Sequence, residues 1–102
     1  MRFYVLSDRP DTLLGLRMAG MAGELINETN DLLATLTRLG KETDIGVIVL
    51  TAGLIRMAPD FITNWKLKRH KPLIVEVPDQ MHSEDISQNI ARYIANTIGL
   101  QV

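Results

Sequence analysis

Cysteine is absent from this chain of 102 residues, and histidine and aromatic residues are scarce. Without thiols, the sequence excludes disulfide scaffolds, thiolate zinc sites and cysteine nucleophiles. His70 and His82 are the only imidazoles. They lie far apart in sequence, and neither has a second ligand at a spacing that metal sites use. Both histidines are therefore interpreted as exposed loop residues, and no metal or cofactor site is predicted.

The sequence also lacks a large excess of positive or negative charge, and it lacks long apolar runs. Eleven Lys and Arg residues are balanced by 12 Asp and Glu residues, for a formal net charge of −1. That balance excludes a polyanion binder driven by bulk charge and an acidic disordered tail. The longest apolar runs, such as residues 47–50, are far shorter than the roughly 20 residues of a membrane-spanning helix. With no signal-peptide pattern at the N-terminus, the default expectation is a cytoplasmic protein without membrane insertion.

The residues that are present form a regular alternation of strand and helix patterns. Short runs of β-favouring apolar residues predict four strands, at residues 3–6, 23–26, 45–50 and 73–77. Helical spacing predicts helices at residues 12–19, about 32–39, on both sides of Pro59, and from Ser83 to Gly99. Asp11 or Thr12 is expected to cap the first helix, and the side chains of residues 29–31 the second.

This alternation predicts the fold class. Strand–helix units repeated four times indicate βαβ connections and a parallel sheet. Residues 45–50 are apolar on both faces, which is typical of a central strand covered by helices on both sides. Glu76 interrupts the last strand and indicates an edge. We therefore predict an α/β fold similar to flavodoxin and receiver domains: a four-stranded parallel sheet of order 2-1-3-4, with helices on both faces. Residues 1–80 form the globular part, and 81–102 its C-terminal helix and tail.

Motifs for nucleotide or phosphoryl chemistry are missing at the predicted strand ends. Residues 7–11, after the first strand, contain none of the glycines of a dinucleotide fingerprint. Gly15 and Gly20 have P-loop spacing, but Met21 and Ala22 stand where Lys and Ser or Thr are needed. A receiver domain needs an acceptor Asp after the third strand, where this chain has Thr51. Ser7, Thr51 and Ser83 are interpreted as turn and cap hydroxyls, so no catalytic constellation is predicted.

Three features nevertheless favour a protein partner. Leu14, Met18 and Met21 form a second apolar face on the first helix, which either neighbouring helices cover or a partner contacts. Residues 66–71 form a basic cluster, interpreted as a solvated helix end that complements the helix dipole rather than a nucleic-acid site. An acidic partner for that cluster stays open. The tail 100–102 ends the chain with apolar residues, which either pair locally or dock elsewhere.

Several segments resemble one family. Asp8 followed by residues 12–20 (TLLGLRMAG) is similar to the first-strand Asp and the T-v-L-G-F-R-L-A-G helix of the F subunit of V-type and A-type rotary ATPases. Residues 44–51 (DIGVIVLT) resemble its d-i-G-i-i-l-i-T strand. Residues 72–78 (PLIVEVP) resemble its P-v-v-v-E-I-P strand, and 97–102 (TIGLQV) its a-v-G-i-k-l ending. The likeness spans essentially the whole chain, and the L-G-x-R-x-A-G segment is its most specific part.

The resemblance implies a protein with no catalytic site and no cofactor. Such a protein lies on the central stalk, binds the coiled-coil shaft (the D subunit), and turns with it, helping to couple ATP synthesis or hydrolysis to ion transport. Its C-terminal helix, here 86–99, would lie along the shaft toward the catalytic A/B head. The implied location is cytoplasmic and peripheral to the membrane, without nucleic-acid partners. The expected shaft contacts are Leu14, Arg17, Met18, Met21, Ile90, Ile94, Ile98, Leu100 and Val102.

Two other functional classes remain as alternatives to the rotary subunit. The first is a stand-alone receiver-like regulatory domain, which predicts acid-labile phosphorylation with a phosphodonor and magnesium. The absent acceptor Asp argues against it. The second is a small α/β enzyme or nucleotide binder that uses the loops around Asp8, Thr51 and Asp79. That alternative predicts a thermal shift with nucleotides, and no motif supports it.

Overall fold

A computed structural model describes residues 2–69 and 71–78 of the chain. Four strands and four helices alternate along these residues. Their bounds are β1 Arg2–Ser7, α1 Pro10–Met18, β2 Ala22–Leu25, α2 Thr29–Leu39, β3 Ile45–Thr51, α3 Ala52–Met57, α4 Pro59–Lys68 and β4 Leu73–Val77. The predicted break at Pro59 is confirmed, because Pro59 opens α4, where its missing N–H costs no helical hydrogen bond. The predicted C-terminal helix and tail, 81–102, lie outside the described residues.

The strands form one parallel sheet of order β2-β1-β3-β4, which confirms the predicted fold class and strand order. Every residue of β3 is buried, as expected for a central strand with apolar side chains on both faces. Among the described residues β4 pairs only with β3, so it is an edge strand, and Glu76 is exposed on it. This order places a topological switch point between β1 and β3.

Two apolar layers cover the two faces of the sheet. On one face, α1 packs Leu13 and Leu16 against valines of β1, β3 and β4. On the other face, α2, α3 and α4 pack against the sheet through residues that include Leu36, Leu54 and Trp65. The helices therefore divide unequally, with α1 alone among the described helices on its side.

The helix starts differ from the predicted caps. Helix α1 begins at Pro10, and Arg9 occupies its N-cap position without a side-chain cap, so neither Asp11 nor Thr12 is the cap. Proline at the first helical position has the required φ and no N–H to satisfy, so no capping side chain is needed there. Likewise α2 begins at Thr29 after an uncapped Glu28, rather than being capped by residues 29–31.

A glycine lies just beyond the end of α1. Gly20 follows the C-cap residue and has a φ of 96°, which L side chains rarely adopt. The chain therefore leaves the helix at this point and turns into β2. Residues after Met18 no longer follow helical spacing, which changes the position of Met21.

Candidate functional site

The switch point between β1 and β3 is the place where open α/β sheets bind ligands, at the carboxyl ends of the strands. In this chain it holds Asp8, which follows β1, and Thr51, the last residue of β3. Ser7 and Thr51 are both buried there. The candidate site therefore contains one carboxylate and two hydroxyls, and its chemistry depends on which hydrogen bonds these groups make.

Asp8 and Thr51 form hydrogen bonds with each other. The Thr51 hydroxyl donates to Asp8 Oδ1 at 2.6 Å, and the backbone N–H of Asp8 donates back to Thr51 Oγ1 at 3.2 Å. The Ser7 hydroxyl accepts from the backbone N–H of Arg9 at 2.9 Å and donates to the Arg9 carbonyl at 2.8 Å. Ser7 is thus a turn hydroxyl, as predicted. Thr51 differs from the prediction, because its hydroxyl makes no helix-cap bond and instead joins β3 to Asp8 across the crevice.

Gly53 makes room for the Asp8 carboxylate at the start of α3. A Cβ at Gly53 would lie 2.0 Å from Asp8 Oδ2, far inside van der Waals contact. The carboxylate therefore lies directly against the first turn of the helix, where a negative charge is favourable. The switch point is filled by the chain's own carboxylate, and within residues 2–69 and 71–78 no group of three His, Asp or Glu side chains could hold a metal ion. The contacts of Asp8 with Thr51 and with the start of α3 thus link β1, β3 and α3, and we call this linkage the brace.

The outer face of α1 offers a different kind of site. Leu14 and Met18 are 61% and 75% exposed, although both are large apolar side chains. Four residues apart, they lie on the same side of the helix, opposite the side that buries Leu13 and Leu16. Arg17 is also exposed on this helix. The structure thus brings together Leu14, Arg17 and Met18 of the predicted contact residues, and none of the other described helices covers Leu14 or Met18.

Met21 lies elsewhere. It is half-buried and packs against the valine layer beneath α1, in the turn that leads to β2. The expectation that it shares a face with Leu14 and Met18 assumed that helical spacing continues, but α1 ends at Met18. Of the other predicted contacts, Ile90, Ile94, Ile98, Leu100 and Val102 lie outside the described residues.

Sequence reasoning missed three other exposed leucines. They are Leu25 at the end of β2, Leu67 on α4 and Leu73 at the start of β4. Leu67 is 78% exposed, but α4 lies on the opposite face of the sheet from α1. The signal that could have found it is its place between two lysines, since an apolar residue flanked by charges on an amphipathic helix points to solvent.

A polar cluster attaches the edge strand β2 to its neighbours. The Tyr4 hydroxyl of β1 donates to Glu24 Oε2 of β2 at 2.7 Å, and the Arg38 guanidinium of α2 pairs with the same oxygen. Burial, and then the hydrogen bond and charge of Glu24, raise the pKa of Tyr4 above its ordinary value. The hydrogen bond and charge of Glu24 also raise the pKa of Arg38. Glu24 thus joins three elements at one oxygen.

A buried tryptophan, Trp65, lies beside Lys66, Lys68 and Arg69 of the predicted basic cluster. Trp65 donates its indole N–H to the Pro72 carbonyl at 2.9 Å, which orients the ring. The Arg69 guanidinium lies over that ring, 4.5 Å from its centroid, and donates to the Gly40 carbonyl at 3.2 Å. These contacts join the ends of α2 and α4 and leave the lysines around them exposed.

Comparison with known proteins identifies a family for this chain. The model of one family, described as ATP synthase (F/14-kDa) subunit, matches residues 3–94. That match covers all eight described helices and strands except the first residue of β1. No curated protein matches the chain. Among the described residues, no helix is long and apolar enough to cross a membrane.

Proposed function

The chain belongs to the ATP synthase (F/14-kDa) subunit family, and from that premise we propose that it is a non-catalytic subunit of the central stalk of a V-type or A-type rotary ATPase. In this role it binds the coiled-coil shaft, the D subunit, and turns with it. It helps to couple ATP synthesis or hydrolysis to ion transport, while the chemistry takes place in other subunits.

The observation that carries the proposal is the uncovered apolar pair on α1. Leu14 and Met18 are exposed although the same helix buries Leu13 and Leu16 against the sheet. An isolated exposed leucine is ordinary, but two large apolar side chains on one helix face favour contact with another protein. A coiled-coil shaft presents helices, and helix faces pack through such residues at i and i+4.

The switch point supports the same proposal in a different way. Asp8 and Thr51 bond to each other, and Gly53 admits the carboxylate to the start of α3. A nucleotide bound there would have to displace that carboxylate and leave the Thr51 hydroxyl without its partner. A binding subunit needs no such displacement, so the rotary subunit is favoured over the nucleotide-binding alternative.

Co-purification with the cognate shaft subunit tests the proposal directly. The purified chain and shaft subunit, mixed at micromolar concentration, should elute from a sizing column as one complex. The same chain should show no thermal shift with ATP or ADP and no acid-labile phosphorylation by acetyl phosphate with magnesium. A failure to form the complex overturns the proposal, and a nucleotide shift or phosphorylation supports one of the two alternatives.

A further inference from the structure

All four lysines of the chain lie at the end of the sheet where β3 and β4 begin. Lys41 follows α2 and precedes β3, Lys66 and Lys68 stand in the last turn of α4, and Lys71 precedes β4. Because the sheet is parallel, β3 and β4 begin at the same end of the sheet, and the helices that precede them, α2 and α4, end there. We call this surface, formed by Lys41, Lys66, Lys68, Arg69 and Lys71, the basic edge.

Direct contacts show that these residues share one surface. Arg69 of the basic edge reaches across to the Gly40 carbonyl, next to Lys41. Lys41 and Lys71 line one shallow depression of about 260 Å³ together with Glu42 and Pro72. Lys66 and Arg69 line a second, of about 330 Å³, together with Trp65, Pro72 and Glu76. The basic edge is thus continuous from the α2–β3 connection to β4.

Ion pairing distinguishes the lysines of the basic edge from three of the arginines elsewhere in the described residues. Arg2, Arg9 and Arg38 form ion pairs with Asp44, Asp11 and Glu24. Within residues 2–69 and 71–78, no ion pair joins any lysine of the basic edge to a carboxylate. Five exposed cations therefore share this surface in a chain whose net charge is −1, and the carboxylates that line its two depressions are those of Glu42 and Glu76.

Helix dipoles account for only part of this arrangement. A cation in the last turn of a helix gains about 0.3–1 kcal/mol, which suits Lys66 and Lys68. Lys71 lies outside any helix, in the connection to β4. Like charges on one surface also repel one another, so their concentration here needs a further reason. A partner of opposite charge supplies one.

We propose that the basic edge binds a carboxylate-rich segment of a partner protein. Lysines on flexible stems suit carboxylates that are spread along a segment, since each ammonium acts as a point charge. Arg69 is held against Trp65 and Gly40, so little side-chain freedom is lost when its remaining N–H groups bond a carboxylate. This surface is separate from the outer face of α1, because α1 and α4 cover opposite faces of the sheet.

Nucleic acid and anionic membrane fit the basic edge less well. Single-stranded nucleic acid needs exposed rings for base stacking, whereas Trp65 is 5% exposed and lies under the Arg69 guanidinium. A helix that lies on a membrane inserts an apolar face, whereas α4 buries Ile62 and Trp65 in the core and leaves Leu67 as its one large exposed apolar side chain. A protein carboxylate requires neither a stacking ring nor an inserted face.

Binding to poly-L-glutamate tests the proposal with a defined probe. The full chain at low ionic strength should bind fluorescent poly-L-glutamate, and added salt should weaken the binding. The double variant Lys66→Gln/Lys68→Gln should bind about fivefold more weakly, as expected for the loss of two exposed charge pairs. Its matched control is Arg9→Gln/Arg56→Gln, which removes the same charge away from the basic edge and should bind as the unmodified chain does.

Each result of this experiment decides the proposal. Absence of poly-L-glutamate binding, or an equal loss in both double variants, overturns it, because the second result means that only net charge matters. Phosphatidylserine vesicles and a 20-nucleotide single strand are titrated in parallel. Tighter binding of either one than of poly-L-glutamate also overturns it, in favour of a membrane or a nucleic acid. Thermal unfolding of every variant verifies that the fold is retained.

Discussion

Replacement of Leu14 and Met18 together by alanine tests whether the outer face of α1 is the shaft-binding surface. Both side chains point away from the sheet, so neither substitution opens a cavity in the core. Alanine is also the best helix former, so α1 itself is retained. The perturbation therefore removes apolar surface from the proposed interface while the fold beneath it is kept.

The expected loss follows from the exposed fractions. Burying a fully exposed Leu or Met side chain contributes about 2 kcal/mol. Covering the 61% and 75% exposure of Leu14 and Met18 thus contributes about 1.2 and 1.5 kcal/mol. Since alanine keeps its Cβ contact, the double variant should lose about 2 kcal/mol of binding free energy, which corresponds to a roughly 30-fold higher Kd. Most of that change should appear in the dissociation rate.

The assay is surface-immobilised shaft subunit with the chain as the soluble partner. Leu67→Ala is the matched control, because Leu67 is 78% exposed on a helix of the opposite layer and should leave the Kd unchanged. The reasoning is refuted if the Leu14→Ala/Met18→Ala variant binds the shaft as tightly as the unmodified chain. It is equally refuted if Leu67→Ala weakens binding by the same factor.

Three further predictions concern the brace at the switch point and the Tyr4 cluster. Gly53→Ala should lower the free energy of unfolding by about 1–2 kcal/mol in urea titrations, because its Cβ would lie 2.0 Å from Asp8 Oδ2. A gain in stability, as alanine gives when it replaces an exposed glycine within a helix, would contradict this. Thr51→Val should cost about 1–3 kcal/mol, since Asp8 Oδ1 loses its donor and the Asp8 N–H its acceptor; an unchanged urea midpoint would show that solvent replaces both bonds. The raised pKa of Tyr4 means that its stabilisation is complete below its ordinary pKa, near 10, and is lost as the pH rises through the raised value. Urea midpoints from pH 8 to 11 should therefore fall more steeply for the unmodified chain than for Tyr4→Phe, and parallel curves would refute the linkage.

Patterns local in sequence were sufficient for the elements of the fold. The apolar run at 45–50 predicted a central strand, and β3 spans Ile45–Thr51 with every residue buried. Glu76 among apolar neighbours predicted an edge strand, and β4 is one within the described residues. These predictions succeed because a strand buried on both faces needs a continuous apolar run, whereas a partly exposed strand tolerates a charged residue. A few neighbouring residues are enough to distinguish the two patterns.

Local patterns were insufficient where competing local solutions exist. A Ser, Thr or Asp before a helix predicts a cap, but Pro10 starts α1 without one. Helical spacing grouped Met21 with Leu14, but the positive φ of Gly20 redirects the chain before Met21 is reached. In each case a residue with restricted or unusual backbone geometry overrides a pattern that only the side chains suggest.

The sequence by itself determined the family and its fold. The L-G-x-R-x-A-G segment and the strand patterns led to the rotary ATPase subunit, and the family match over residues 3–94 confirms that membership. Both rest on runs of neighbouring residues, because a family motif and the side-chain pattern of a strand each extend over only a few positions. Nothing in such runs states which distant groups meet.

Tertiary structure alone decided how the polar and apolar groups are used. Asp8 and Thr51 are 43 residues apart and form one brace. Arg69 reaches Gly40, 29 residues away, and so helps join the lysines into one basic edge. Leu14 and Met18 stay exposed while Leu13 and Leu16 are covered, because exposure depends on what the rest of the chain places against a helix. Contacts between residues remote in sequence thus determine which side chains remain exposed.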